Sequence, residues 1–127
     1  MANRVILVID DGKDVCRTIK EGLERLGGYK VISAYNGKDG FRAAKQDNPD
    51  LVLLDVDMPS VNGFEVLEQL KEDAKTYPIP VVMLTGQKDD TFKIAASRLY
   101  SEDYITKPVS LLTLKGRIDT ILARLGS

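Results

Sequence analysis

The chain has no histidine, no tryptophan and a single cysteine, Cys16. Without histidine it has no imidazole to act as general base, metal ligand or phosphate carrier. One cysteine allows no internal disulfide and no CxxC-type metal site, a usage that suits a reducing cytoplasm. Charge of one sign is also lacking. Eighteen basic residues face 19 acidic ones, leaving a net charge of −1. That balance offers no basic surplus for nucleic acid or an anionic membrane. No apolar run approaches the roughly 20 residues that span a bilayer. Met1-Ala2-Asn3-Arg4 leads straight into a strand-like run rather than a signal peptide. A cytoplasmic location is therefore expected.

What is present reads as one globular domain of 127 residues, long enough to bury roughly two thirds of its unfolded surface. Five short apolar runs stand out: Val5–Ile9, Tyr29–Ala34, Leu51–Leu54, Val81–Leu84 and Tyr104–Thr106. The first, third and fourth are nearly continuous and rich in Val, Ile and Leu, as strands covered on both faces are. The last is short and more polar, as an edge strand is. Helical spacing lies between them. Val15, Ile19, Leu23 and Leu26 recur at three and four, as do Phe92, Ala95, Ala96 and Leu99. Leu111, Leu114, Ile118, Ile121, Leu122 and Leu125 share one face of the last segment. Helices around Lys38–Gln46 and Gly63–Ala74 are less periodic. Gly27-Gly28 and Asn48-Pro49 close the first two helices, and Tyr77-Pro78-Ile79-Pro80 separates the third from its strand. A βα unit repeated five times predicts a parallel sheet with helices on both faces. Sites in such sheets lie beyond the carboxyl ends of the strands.

The informative residues follow the apolar runs. Asp10 and Asp11 follow the first, Asp55 the third, Thr85 and Gly86 the fourth, Lys107 and Pro108 the fifth. Singly, each has a plain explanation: an Asp at a strand end is a turn former or a helix cap. Parallel strands bring them to one rim. Three crowded carboxylates repel one another and raise their own pKa values. The cluster needs a counter-charge, which Lys107 and a divalent cation supply. Oxygen ligands alone point to a hard cation, and a small carboxylate site serving phosphate favours Mg²⁺ over Ca²⁺. Metal and ammonium neutralise a transferring phosphoryl group while a carboxylate acts as nucleophile. Thr85 can donate to a phosphate oxygen, and Gly86 leaves backbone space and a free N–H beside it.

Together, Asp10-Asp11, Asp55-Val56-Asp57-Met58-Pro59 with Gly63, Thr85-Gly86 and Tyr104-Ile105-Thr106-Lys107-Pro108 resemble the response-regulator receiver family of two-component signalling. The resemblance runs from about Arg4 to Leu125. It implies the flavodoxin-like (βα)5 doubly wound sheet of five strands, and a single receiver domain over residues 1–127 with no output domain in this chain. Asp55 would be the phosphoacceptor, served by a histidine kinase or a histidine phosphotransfer protein. Asp11 and Asp55 would hold Mg²⁺, or Mn²⁺ in its place, with Asp10 acting through water and Asp57 through its backbone carbonyl. Lys107 would pair with the phosphate, Lys107-Pro108 would be cis, and Thr85 and Tyr104 would form a switch pair. The helix around Phe92–Leu99, the last strand and the last helix would form the output face for a downstream protein. The chain would be a switch rather than an enzyme, binding neither nucleic acid nor membrane directly. It departs from the family's usual pattern at Gly12 and at Tyr100-Ser101. Asp57 adds a negative side chain beside the site, expected to alter phosphate lifetime.

Three rival readings are weaker. Asp55-Val56-Asp57, Leu84-Thr85 and Lys107 also resemble haloacid-dehalogenase-type phosphatases. That family needs a later acidic motif, and only Asp119 follows the lysine, inside an amphipathic helix. A phosphate-independent pseudo-receiver would not need the intact acidic set. A flavin carrier would need a Ser/Thr-rich loop where Asp10-Asp11-Gly12-Lys13 stands, and those carboxylates would repel its phosphate. Tyr35, Phe41, Phe64 and Phe92 read as packing residues, Met58 and Pro59 as loop-shaping residues, and Cys16 as a helix residue without redox work. Lys115, Arg117 and Arg124 read as a solvated face.

Overall fold

The chain alternates strand and helix: β1 (Val5–Ile9), α1 (Lys13–Gly27), β2 (Lys30–Ala34), α2 (Gly37–Asp47), β3 (Leu51–Asp55), α3 (Gly63–Glu72), β4 (Val81–Thr85), β5 (Asp103–Thr106) and α4 (Leu111–Gly126). The computed structural model describes residues 3–58, 63–86 and 101–126. The helix predicted around Phe92, Ala95, Ala96 and Leu99 lies outside the described residues, as do Pro59 and Tyr100. The five strands form one parallel sheet in the order β2-β1-β3-β4-β5. The order reverses at β1, from which the chain first goes outward to β2 and then crosses to β3. This is the expected flavodoxin-like topology, with the short polar β5 at one edge.

Side chains alternate across a strand, so each run feeds two cores. Ile6, Val8, Leu51, Leu53, Val82, Leu84 and Ile105 face Cys16, Ile19 and Leu23 of α1 and Leu114, Ile118 and Ile121 of α4. Leu7, Ile9, Val52, Leu54, Val81 and Met83 face Ala44 of α2 and Val66, Leu67 and Leu70 of α3. Burial on both faces explains why the three central runs are almost purely aliphatic. The stripe on α1 differs from the spacing prediction. Cys16 is buried, whereas Val15 and Leu26 are 45% and 44% exposed. A residue turns about 100° per step, so a stripe centred on Cys16, Ile19 and Leu23 turns Val15 to its margin. Leu26 falls in the last turn. On α4, Leu125 is likewise half exposed.

The helix ends are written in local chemistry. Gly28 closes α1 at φ 69°, the left-handed region that glycine enters without strain. Asn48 closes α2 at φ 45°, a conformation asparagine tolerates. Asn36 opens α2, its side chain accepting from the Asp39 N–H at 2.8 Å. Gly63 opens α3 for a different reason. A Cβ there would stand 2.6 Å from Val56 Cα and 2.7 Å from the Asp55 carbonyl oxygen. The helix thus presses on the backbone that ends β3, and only hydrogen fits between.

Gly63→Ala should therefore destabilise the protein by about 1–3 kcal/mol, the usual cost of overpacking. Gly116→Ala is the control. It lies on the exposed side of α4 with nothing within 4 Å of the added methyl, and should raise stability by up to about 1 kcal/mol. Equilibrium denaturant unfolding of both variants checks the pair.

Candidate functional site

Hydrogen bonds carry the ladder past the ends of three strands. Asp10 N–H donates to the Ala34 carbonyl at 3.1 Å, Val56 N–H to Leu84 at 2.9 Å, and Lys107 N–H to Thr85 at 2.7 Å. Side-chain alternation therefore continues onto the rim. Asp10 follows the parity of Ile6 and Val8, Asp55 that of Leu51 and Leu53, and Lys107 that of Ile105, so all three lie on the α1/α4 side. Thr85 follows Val81 and Met83, and Tyr104 packs against that same core on the α2/α3 side. The pleat thus separates an acid–ammonium group from a hydroxyl–aromatic pair.

Asp10 and Asp55 are each only 4% exposed, whereas Asp11 is exposed. One carboxylate oxygen from each of the three lies within 4.8 Å of the others. The Lys107 ammonium donates to Asp55 Oδ1 at 2.8 Å. The Asp57 N–H also donates to Asp55 Oδ1, at 3.2 Å. Asp10 Oδ1 accepts from the Gly12 N–H at 2.9 Å, and its carbonyl accepts from Cys16 Sγ at 3.4 Å. Burial raises the Asp10 pKa. The Gly12 N–H opposes this, the Asp55 charge adds to it, Lys107 opposes it, and Asp11 adds to it. Burial works against the Lys107 ammonium, but its hydrogen bond to Asp55 and the charges of Asp55, Asp10 and Asp57 outweigh it, so its pKa is raised. Burial, with the Asp10 charge behind it, pushes the Cys16 thiol up to about 11. That holds it as an unreactive thiol under the site.

The donor set fits a hard divalent cation. Its ligands are oxygens only, two of three carboxylates are buried, and one ammonium faces them. The Lys107–Pro108 peptide is cis. Thr85 is fully buried at the end of β4, and Tyr104 is half-buried, opposite Met83 in the sheet register. One sequence reading is corrected. The Gly86 N–H is not free, because it donates to Asp57 Oδ2 at 2.8 Å. Its predicted backbone space is real: among the described residues, an added Cβ would meet only that same oxygen, at 3.5 Å. Sequence reasoning gave Asp57 a backbone role and a negative side chain beside the site but missed this contact with Gly86, since no spacing rule links positions 57 and 86. The basic residues of α4 are engaged rather than merely solvated. Arg117 grips Asp103 with two bonds of 2.6 Å, Arg124 reaches Glu102 at 3.4 Å, and Lys115 pairs with Asp119. The first two tie the edge strand or the residue before it to α4.

The chain belongs to the response regulator receiver domain family, whose pattern matches residues 6–119. Membership makes it a phosphorylation-dependent signalling module of the two-component type. The chain is 41% identical to protein PilH of Pseudomonas aeruginosa over 118 residues, covering 93% of this chain and 97% of that protein. It is 37% identical to the alkaline phosphatase synthesis transcriptional regulatory protein PhoP of Bacillus subtilis, covering 96% of this chain but 50% of that protein. A CheY-like receiver domain protein from Methanospirillum hungatei superposes with a TM-score of 0.87 at 25% identity, covering 98% of this chain and 97% of the other. No helix among the described residues is long and apolar enough to cross a membrane.

The raised Asp10 pKa has a stability consequence for the metal-free protein. The folded state holds its proton more tightly than the unfolded state. Ionisation therefore costs stability as pH rises through the folded pKa, and costs nothing below the unfolded value near 3.9. Asp10→Asn should raise the metal-free melting temperature at pH 7, and the gain should vanish as pH falls toward 4. Mg²⁺ at about a hundred times its Kd should stabilise the wild type by about 2.7 kcal/mol. Asp11→Asn should lose most of that stabilisation. Thermal unfolding with and without Mg²⁺ measures both effects.

Proposed function

We propose that Asp55 accepts a phosphoryl group from a phosphohistidine on a histidine kinase or a phosphotransfer protein. A single observation carries this reading. A buried carboxylate, Asp55, is held at 2.8 Å by the Lys107 ammonium within a cluster of two further carboxylates. One Asp55 oxygen attacks phosphorus, the P–N bond breaks, and the imidazole nitrogen of the donor keeps the electron pair. Asp11 and Asp55 would hold Mg²⁺ (or Mn²⁺), with Asp10 assisting through water and Asp57 through its backbone carbonyl. When bound, the cation supplies positive charge for the phosphoryl oxygens. Lys107, already on Asp55 Oδ1, keeps its charge at working pH and turns to the added phosphate. The Lys107 ladder bond to Thr85 fixes the base of its side chain relative to β4.

Thr85 and Tyr104 form the switch pair. Both belong to the α2/α3 side of the sheet, so a hydroxyl drawn toward phosphate changes the space that Tyr104 can enter. The change is a shift between two existing states, each contact with phosphate favouring one of them. The output surface includes β5 and α4 and controls a downstream protein. Residues 1–127 act as one receiver domain whose only chemistry is its own phosphorylation and dephosphorylation. Neither a phosphatase acting on small substrates nor a phosphate-independent module is favoured by any feature of the rim.

Treatment with acetyl phosphate and Mg²⁺ should add about 80 Da to the intact mass, as covalent phosphorylation of a carboxylate requires. Asp55→Ala should abolish the adduct. Lys107→Ala should slow its formation by about a hundredfold or more, since it removes a charge aimed at the transferring group. Persistence of the adduct in Asp55→Ala would place the phosphate elsewhere.

A further inference from the structure

We propose that the Asp57 carboxylate is an internal anion that occupies the Gly86 N–H in the unphosphorylated state and must leave it before a phosphoryl group on Asp55 is fully bound. The proposal rests on the phosphoacceptor reading of Asp55 and goes beyond it by assigning a regulatory contact to the same rim.

The geometry is specific. Asp57 touches two neighbours at once. Its backbone N–H donates to Asp55 Oδ1 at 3.2 Å, while its side-chain Oδ2 accepts from the Gly86 N–H at 2.8 Å. The second contact joins positions 29 residues apart, across the ends of β3 and β4. Among the described residues outside the chain neighbours, no other atom lies within 4 Å of where a Gly86 Cβ would stand. Gly86 directly follows Thr85, and β3 and β4 are hydrogen-bonded neighbours with Asp55 opposite Leu84. The Gly86 N–H is thus a backbone donor beside the acceptor, and in the resting protein it already serves an anion.

A phosphoryl group brings three anionic oxygens to Asp55. The cationic donor at hand is Lys107, now spent on Asp55 Oδ1. A carboxylate cannot donate to a phosphate oxygen, and two anions competing for one N–H repel each other at contact distance. The phosphate therefore gains the Gly86 N–H only when Asp57 gives it up. Both residues are exposed, so the released carboxylate passes into water at little cost. The contact is a charge-assisted hydrogen bond at the surface, which sets the size of the barrier at a modest multiple in rate.

In the test reaction an Asp55 oxygen attacks the phosphorus of acetyl phosphate. The P–O bond to the acyl group breaks, and acetate departs with the electron pair. Asp57→Ala removes the competing acceptor and the charge, while Asp57→Asn removes the charge and keeps an acceptor oxygen. The proposal expects Asp57→Ala to be phosphorylated about three- to tenfold faster than wild type, with Asp57→Asn between them. It also expects faster hydrogen exchange at the Gly86 amide in unphosphorylated Asp57→Ala than in wild type. Equal rates in wild type and Asp57→Ala overturn it. So do equal gains in the two variants with Gly86 exchange unchanged, because charge alone then accounts for the effect. If wild type takes no phosphate on Asp55 although its Gly86 amide is protected, the phosphoacceptor reading fails and the proposal falls with it.

Discussion

The crowding of three carboxylates around the Lys107 ammonium is the constraint on which the rest of this structure depends. Asp10 and Asp55 are nearly buried, Asp11 stands beside them, and Lys107 is the ammonium that meets Asp55 at short range among the described residues. Such an arrangement costs stability unless something positive completes it. Burial first, and the Asp55 and Asp11 charges after it, raise the Asp10 pKa, while the Asp55 hydrogen bond and the charges of Asp55, Asp10 and Asp57 raise that of Lys107 against its burial. A site chosen for stability alone would neutralise one of these aspartates.

The two cores exist to hold that rim still. Each central strand is sealed on both faces, so it cannot slip by one residue without turning its aliphatic residues outward together. The same alternation that sorts Leu53 from Leu54 sorts Asp55 from Val56. Register errors are thereby coupled to the position of Asp55. Gly63 adds a second constraint, since α3 rests on the Asp55 carbonyl with no room for a methyl group. Cys16 works from the other side, under the Asp10 carbonyl. Asp55 is thus held by packing from below, with polar contacts above it.

Those polar groups divide into a resting set and a set in waiting. At rest Lys107 and the Asp57 N–H both serve Asp55 Oδ1, and the Asp57 side chain serves Gly86. Each donor in these contacts is already occupied, so on the proposed reading a phosphoryl group on Asp55 would exchange partners rather than fill a void. A switch built on exchange needs only small differences in free energy between its two arrangements, which suits a module that reports a reversible modification. The edge strand and α4 are tied through Asp103 and Arg117, so a change at the start of β5 is felt on the surface of the last helix.

Much of this was legible before any coordinates. The five apolar runs became five strands, the sealed ones central and the short polar one at the edge, because continuous aliphatic character is a direct consequence of two-sided burial. The punctuation at Gly28 and Asn48 followed from backbone sterics, and the strand-end residues followed from parallel topology. Where the α1 stripe was misjudged, the cause was angular: Val15 and Cys16 are adjacent in sequence, and only packing decides which of two neighbours faces the sheet. The Asp57–Gly86 contact was beyond reach for a different reason. It depends on the rotamer of an exposed side chain and on how two separate loops leave the sheet, neither of which is encoded by spacing. The sequence alone determined the alternation of strand and helix, the parallel sheet and the residues that end its strands, since these rest on periodicity and residue type, while the strand order and the family followed from a resemblance in motifs. Only the tertiary structure decided which donor each carboxylate meets, because hydrogen bonds between residues far apart in the chain are set by distances that no local pattern carries.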